Sequence, residues 1–353
     1  MAIKTDADCY ASSFNFRQFG FNETVTMLLI LLIFLSVPSN YIVLSQQIST
    51  FRKLNLPTTS VGPEPIDFDA LGRGPYTGIS DGRIVRYDKR TSSFVDFAFA
   101  SQNRSKAVCD GTNSPALRPV CGRPLGIEFF HRRNLLFIAD AFAGLCVVGP
   151  NGGLATQLAT TAEGISLRFL NGLSVDQHTG DVYFTDYSSR FLQTQIQQAI
   201  AANDSTGRLL KYDYRTKNVT VLLLRGLSGA NGVAISSDGT YLLFAESIAN
   251  RTQRFWLRGA RAFTSEVVAN FQGMPRNIRR TPSGDFLVGV SVQRPGAPSI
   301  VPTAIRINGA GQILQTLPLD HYYNTTVISE FLQRGSRYYA GSAQANFVGV
   351  FNW

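Results

Sequence analysis

PLGIEFFHRRNLLFIADAFAG (124–144), LNGLSVDQHTGDVYFTDYSS (170–189) and ANGVAISSDGTYLLFAESIAN (230–250) repeat one pattern. In each, a glycine (Gly126, Gly172, Gly232) precedes a short apolar run, a polar turn and a second apolar run. The second run ends in a carboxylate 14 residues after the glycine, at Asp140, Asp186 and Glu246. Alternation within Val182-Tyr183-Phe184 and Leu242-Leu243-Phe244, with turns such as Ser237-Asp238-Gly239, is hairpin chemistry. A fainter copy, PRNIRRTPSGDFLVGVSVQ, starts at Pro275; the copies are spaced by 46 and 60 residues and then, from Asn231 to the aligned Asn277, by 46.

A propeller blade of four strands occupies roughly 40–50 residues. GRIVRYD from Gly82 and GRLLKYDYRTKNVTVLL from Gly207 supply outer-strand signals between copies. The widest gap holds FLQTQIQQAIAAN (191–203), whose composition favours a helix inserted on a blade's rim. Residues 46–353 divide by this period into about six blades. The expected fold is all-β, a six-bladed β-propeller with a short helical insertion. A β-sandwich would not explain the fixed 14-residue spacing.

The remaining residues, 1–45, read as an N-terminal extension with a signal peptide or signal anchor. MLLILLIFLSV (27–37) is too short for a full membrane span of about 20 residues and suits a signal core. Cleavage is expected near Ser45; an uncleaved anchor, or a start at Met27, is the alternative, and any membrane contact would run through this segment alone. Sequons at Asn103, Asn203, Asn218, Asn250 and Asn324 agree with export and N-glycosylation. Cys109 and Cys121 bracket a polar loop that a disulfide would close in an oxidising compartment, whereas Cys146 reads as a buried free thiol. No CxxC occurs and the three histidines are scattered, which argues against zinc.

The net charge of +9 is spread along the chain. Its densest runs, 131–133 and 276–280, read as solvated surface rather than a nucleic-acid footprint. A monomer acting on a small-molecule substrate or ligand is expected, with no nucleic-acid partner.

AVCDGTNSPALRPVCGRPLGI (107–127), LCVVGPNGGLATQLATTAEGISLRFLNGLSVDQHTGDVYFTD (145–186) and STGRLLKYDYRTKNVTVLLLRGLSGANGVAISSDG (205–239) resemble the plant strictosidine synthase family. The similarity runs from about Pro63 to the C-terminus. It implies a six-bladed propeller, a disulfide matching Cys109–Cys121, and a vacuolar or endoplasmic-reticulum address, the vacuole first and the extracellular space as a further alternative. True strictosidine synthases condense tryptamine with secologanin, using one glutamate as the acid–base group. Counting back from Gly341-Ser342 puts Ser329 at that position and Glu330 beside it. A one-residue slip would turn Glu330 to the opposite face. Glu330 is nonetheless the candidate catalytic residue for that chemistry.

A second resemblance is to calcium-centred propeller hydrolases of the paraoxonase and gluconolactonase kind. Asn171 and Asn231 open the inner strands of two repeats, Asn277 holds a nearby place in the faint one, and Glu64 would open the first inner strand. Such a ring implies Ca²⁺ held by oxygen ligands and polarising a lactone or ester carbonyl. Against it, Glu64 is the only evident carboxylate of the ring, Arg276 stands where those hydrolases often have Asp, and no histidine falls near Asp140-Ala141. His131 and His178 are expected in surface turns and His321 in a loop. The expected activity is a hydrolase acting on a lactone or ester; the alternatives are a Pictet–Spengler synthase and a non-catalytic ligand-binding propeller.

Overall fold

The computed structural model describes residues 48–293 and 299–353. The apolar N-terminal run lies outside them. Among the described residues no helix is long and apolar enough to cross a membrane.

The repeat becomes six blades around a central axis. Their inner strands are Ile66–Asp67, Pro124–Phe130, Leu170–Val175, Ala230–Ile235, Gly273–Arg280 and Glu330–Arg334. From each, three further antiparallel strands step outward. Gly153–Leu154 adds a parallel edge to the first blade. The sixth blade is completed from the other end of the chain. Thr50–Asn55 pairs with Phe347–Asn352, from Thr50 opposite Asn352 to Asn55 opposite Phe347. Phe51 packs there on Tyr322 and Phe351. Between blades the side chains interleave into sealed seams, such as Phe137, Leu145, Phe184 and Leu210 between the second and third.

The repeated glycine has a packing reason. A Cβ on Gly126 would lie 2.5 Å from the Asn171 carbonyl oxygen, and one on Gly172 would lie 2.7 Å from that of Asn231. Inner strands meet backbone to backbone near the axis, where nothing larger than hydrogen fits.

The carboxylate that ends each second strand is a brace. Asp140 accepts the Arg123, Phe142 and Ala143 N–H groups. Asp186 accepts Phe169 N–H and pairs with Arg208 at 2.6 Å. Glu246 accepts Ser228 N–H and pairs with Arg251. In all three, the carboxylate ties down the chain as it enters its own blade's inner strand.

The expected insertion over residues 191–203 is present as a 3₁₀ turn, Gln193–Gln195, continuing into the helix Ile196–Ala201. Its buried Ala199 packs with Leu125, Ala141, Phe169 and Tyr187. Cys109 and Cys121 form the disulfide, and Cys146 is a buried free thiol. Asn103, Asn203, Asn218 and Asn324 are exposed, while Asn250 is half-buried. His178 is exposed in a turn, and His321 sits in the one-turn helix Asp320–Tyr323 rather than in a loop. Losing the crosslink, with its sequence separation of 12, frees the loop in the unfolded chain. The Cys109→Ser/Cys121→Ser variant should therefore lose about 3 kcal/mol, read as a lower urea midpoint.

Candidate axial site

The inner strands start at one end of the axis, here the upper mouth, and finish at the other. Glu64, Asn171, Asn231 and Asn277 are all buried toward the starts of these strands. Glu64 accepts a 2.6 Å hydrogen bond from Arg123 Nη2, while Arg123 Nη1 donates to the Gly62 carbonyl. Asn231 Nδ2 donates to Ser247 Oγ at 2.9 Å. Asn277 reaches across to the sixth blade. Its Nδ2 donates to Glu330 Oε2 at 3.1 Å and lies 3.5 Å from the Leu125 carbonyl of the second blade.

These four residues do not fit a calcium ion. Calcium takes about six to eight oxygen ligands with several negative charges. The ring's one carboxylate, Glu64, is neutralised by Arg123. Asn277 turns N–H rather than oxygen toward Glu330, and its Oδ1 is buried without a partner. Among the described residues no group of three or more His, Cys, Asp or Glu is placed to hold a metal.

The centre of the axis is filled by Arg279. Its Nε contacts Glu330 Oε1 at 3.0 Å and its Nη1 contacts Glu128 Oε2 at 3.2 Å. Its Nη2 donates to the carbonyls of Ile66 and Ile127 at 3.1 and 2.7 Å. One planar guanidinium thus joins the first, second, fifth and sixth blades. The run 276–280, expected as solvated surface, contains this buried plug, because its strand lines the axis instead of the rim.

Glu330 is also on the axis. It accepts Ile66 N–H at 2.6 Å in addition to its contacts with Asn277 and Arg279. The expected turn to the opposite face does not occur. Glu330 opens its strand, and its side chain reaches the edge of the first blade. Ser329 instead accepts Ala343 N–H through its hydroxyl. Burial pushes the Glu330 carboxyl up to about 7, and the Arg279 charge opposes that rise. Burial likewise takes Glu128 up to about 7 and raises Asp67. The void beside Glu330 and Asn277 is only about 10 Å³, room for one water. The tunnel is closed in its middle.

Two further arginines matter here: Arg118, which the sequence reading passed over, and Arg276, read there as standing in place of an Asp. Arg118 donates to Gln193 of the insertion at 2.9 Å, yet its Nε is buried without a partner. Desolvation lowers its pKa, and the nearby Arg123 charge lowers it further against the pull of Glu64. The Nε of Arg276 is likewise buried and unpartnered. Burial pushes Tyr187 up to about 12, with the Arg276 charge opposing. Arg118 lies in the short helix Arg118–Cys121 and Arg276 in the inner strand Gly273–Arg280, and neither position carries a sequence pattern that separates a buried guanidinium from a surface one.

The strictosidine synthase family profile matches residues 171–260, and the profile for the N-terminal part of strictosidine synthase-like proteins matches residues 46–87. Protein STRICTOSIDINE SYNTHASE-LIKE 12 of Arabidopsis thaliana is 42% identical over 303 residues, covering 86% of this chain and 90% of that protein. This chain belongs to the strictosidine synthase-like family. Strictosidine synthase of Catharanthus roseus is 36% identical, over 85% of this chain and 86% of its own length. Among solved structures, this family member superposes on a gluconolactonase from Xanthomonas campestris with a TM-score of 0.59 at 13% identity, covering 86% of this chain and 89% of that one. A luciferin-regenerating enzyme gives a TM-score of 0.56 at 13% identity, over 86% and 95% of the two chains. At such identity these two likenesses speak for the propeller alone.

Proposed function

We propose that this strictosidine synthase-like chain is a small-molecule enzyme of hydrolase type, acting on an ester or lactone at the upper mouth without a metal. The carrying observation is the pair of buried, unpartnered guanidinium N–H groups, Arg118 Nε and Arg276 Nε. An orphaned cationic donor is costly in a closed fold unless an anionic oxygen completes it. An ester or lactone carbonyl develops that charge as water adds to it. In this reading Arg276 and Arg118 receive the oxyanion, and the Arg123–Glu64 pair orients the mouth beside them. The gluconolactonase among the structural neighbours is consistent with the same substrate class but lends no residue to it.

A second reading is amine–aldehyde condensation with Glu330 as proton carrier, favoured by an axial carboxyl held near 7. Its obstacle is enclosure, since Glu330 has both oxygens engaged beside a void of about 10 Å³. The five sequons and the apolar run 27–37 support a secretory-pathway glycoprotein, and the resemblance to the family puts the vacuole first.

The test is turnover of a panel of aryl esters and γ- and δ-lactones by the purified protein, with and without EDTA. Hydrolysis indifferent to EDTA is expected. Arg276→Gln should lower kcat about tenfold or more, since removing an oxyanion donor costs about 10²–10³ in well-formed sites. No turnover across the panel, or an unaffected Arg276→Gln, sinks the hydrolase; strictosidine formation lost in Glu330→Gln would install the second reading. Ligand binding with no turnover in either assay would leave a binding propeller.

A further inference from the structure

The far end of the axis holds a cavity that the proposed chemistry does not use. It measures about 230 Å³ and draws residues from all six blades, from the ends of the inner strands and the turns that follow. It is smaller than the roughly 300–1,000 Å³ of drug-sized pockets and suits a ligand of monosaccharide size.

Its chemistry is divided. Asp67 and Glu128 form one part of the lining. Asp67 Oδ2 accepts Phe129 N–H at 2.6 Å, and Glu128 Oε2 faces Arg279. His131 Nε2–H donates to the Phe68 carbonyl at 2.9 Å, which leaves Nδ1 as an acceptor. Arg280 and Arg334 also line the cavity. Arg334 lies over the Phe68 ring, and Arg280 acts on Glu128 only through its field. Neither guanidinium makes a side-chain hydrogen bond among the described residues. Arg334 is exposed and Arg280 half-buried, so both guanidinium groups are open to an incoming anionic group, while the carboxyls and the imidazole nitrogen are matched to hydroxyls.

We infer that this lower cavity is a second ligand site, separate from the upper mouth, and that it takes a monosaccharide-sized anionic polyol. The anionic group lies between Arg280 and Arg334, and the hydroxyls reach Glu128, Asp67 and His131. The anion is either a carboxylate or a phosphate ester, which share this recognition.

Glu128 adds a pH dependence. Arg279, Arg280, Asp67, His131 and Gln177 face it, and it titrates at about 7. Its ionised form repels the ligand's charge, so affinity for a carboxylate sugar, which stays ionised throughout, rises as the solution goes from about pH 8 to about pH 6.

The test is calorimetric titration of the full glycosylated protein with glucuronate, glucose 6-phosphate and glucose. Saturable binding of at least one anionic sugar is expected, with glucose weaker. Arg280→Ala and Arg334→Ala should each weaken it about tenfold, the scale of one charge-assisted contact. Arg52→Ala, an exposed arginine on the outermost strand of the sixth blade, should leave it unchanged. Preference between the two anions identifies the ligand's acidic group. No saturation by either anion overturns the site, as does a loss in Arg52→Ala equal to that in Arg280→Ala.

Discussion

Arg279→Met is expected to destabilise the propeller by about 3–5 kcal/mol at neutral pH, the cost of removing one partner from a buried ionic cluster. Methionine fills similar space but leaves Glu128, Glu330 and Asp67 facing one another without the cation between them. It also strands the Ile66 and Ile127 carbonyls that Arg279 now satisfies. The deficit should shrink in acid. Below about pH 5 Glu128 and Glu330, both raised to about 7, are protonated, and neutral acids neither repel one another nor need a counter-charge. Arg279→Lys keeps the charge but not the planar fork that reaches four blades, so it should recover only part of the loss. Urea unfolding of the three proteins at about pH 5 and about pH 7.5 reads all of this. A methionine variant as stable as the parent at the higher pH would mean that the guanidinium only fills space.

What the sequence made legible and what it hid have separate physical causes. Gly126, Gly172 and Gly232 are readable because touching inner strands admit no side chain there, so the requirement recurs in the second, third and fourth blades. Asp140, Asp186 and Glu246 are readable for the same kind of reason: the chain enters each of these blades through the same brace. The axis is different. Its occupants differ from blade to blade, so repetition says nothing about them. Alternation fails there as well. The inner strands of the second to fifth blades carry register shifts near their starts, at Pro124/Gly126, Leu170/Leu173, Ala230/Val233 and Pro275/Ile278. A bulge resets which residues face inward. The sixth blade pairs from Glu330 opposite Gly341 without such a shift. Counting residues therefore placed neither Arg279 nor Glu330. The calcium expectation failed at the same level, because the partner that neutralises Glu64 is Arg123, on the strand-entry segment of another blade.

Glu330→Gln is expected to flatten the pH dependence of stability by about 3 kcal/mol between roughly pH 4.5 and pH 8. The folded carboxyl titrates at about 7 against 4.5 for an unperturbed glutamate. Between those values the folded state binds more protons than the unfolded one, so stability is full below about 4.5 and falls as pH rises through about 7. Glutamine mimics the protonated acid and has no such loss. Its Oε1 can keep the Ile66 and Arg279 contacts, and its amide can donate to Asn277 Oδ1, which is buried without a partner, once that side chain turns over. The two proteins should be nearly equal near pH 5, and the variant should be the more stable near pH 8. The wild-type slope that remains belongs in part to Glu128, whose pKa is raised in the same direction. Urea midpoints at four pH values decide it. Parallel curves would show that Glu330 stays ionised against Arg279 throughout, making the plug a fixed ion pair. A widening gap would show a proton held on the axis near neutrality, which is what an acid–base role there would require.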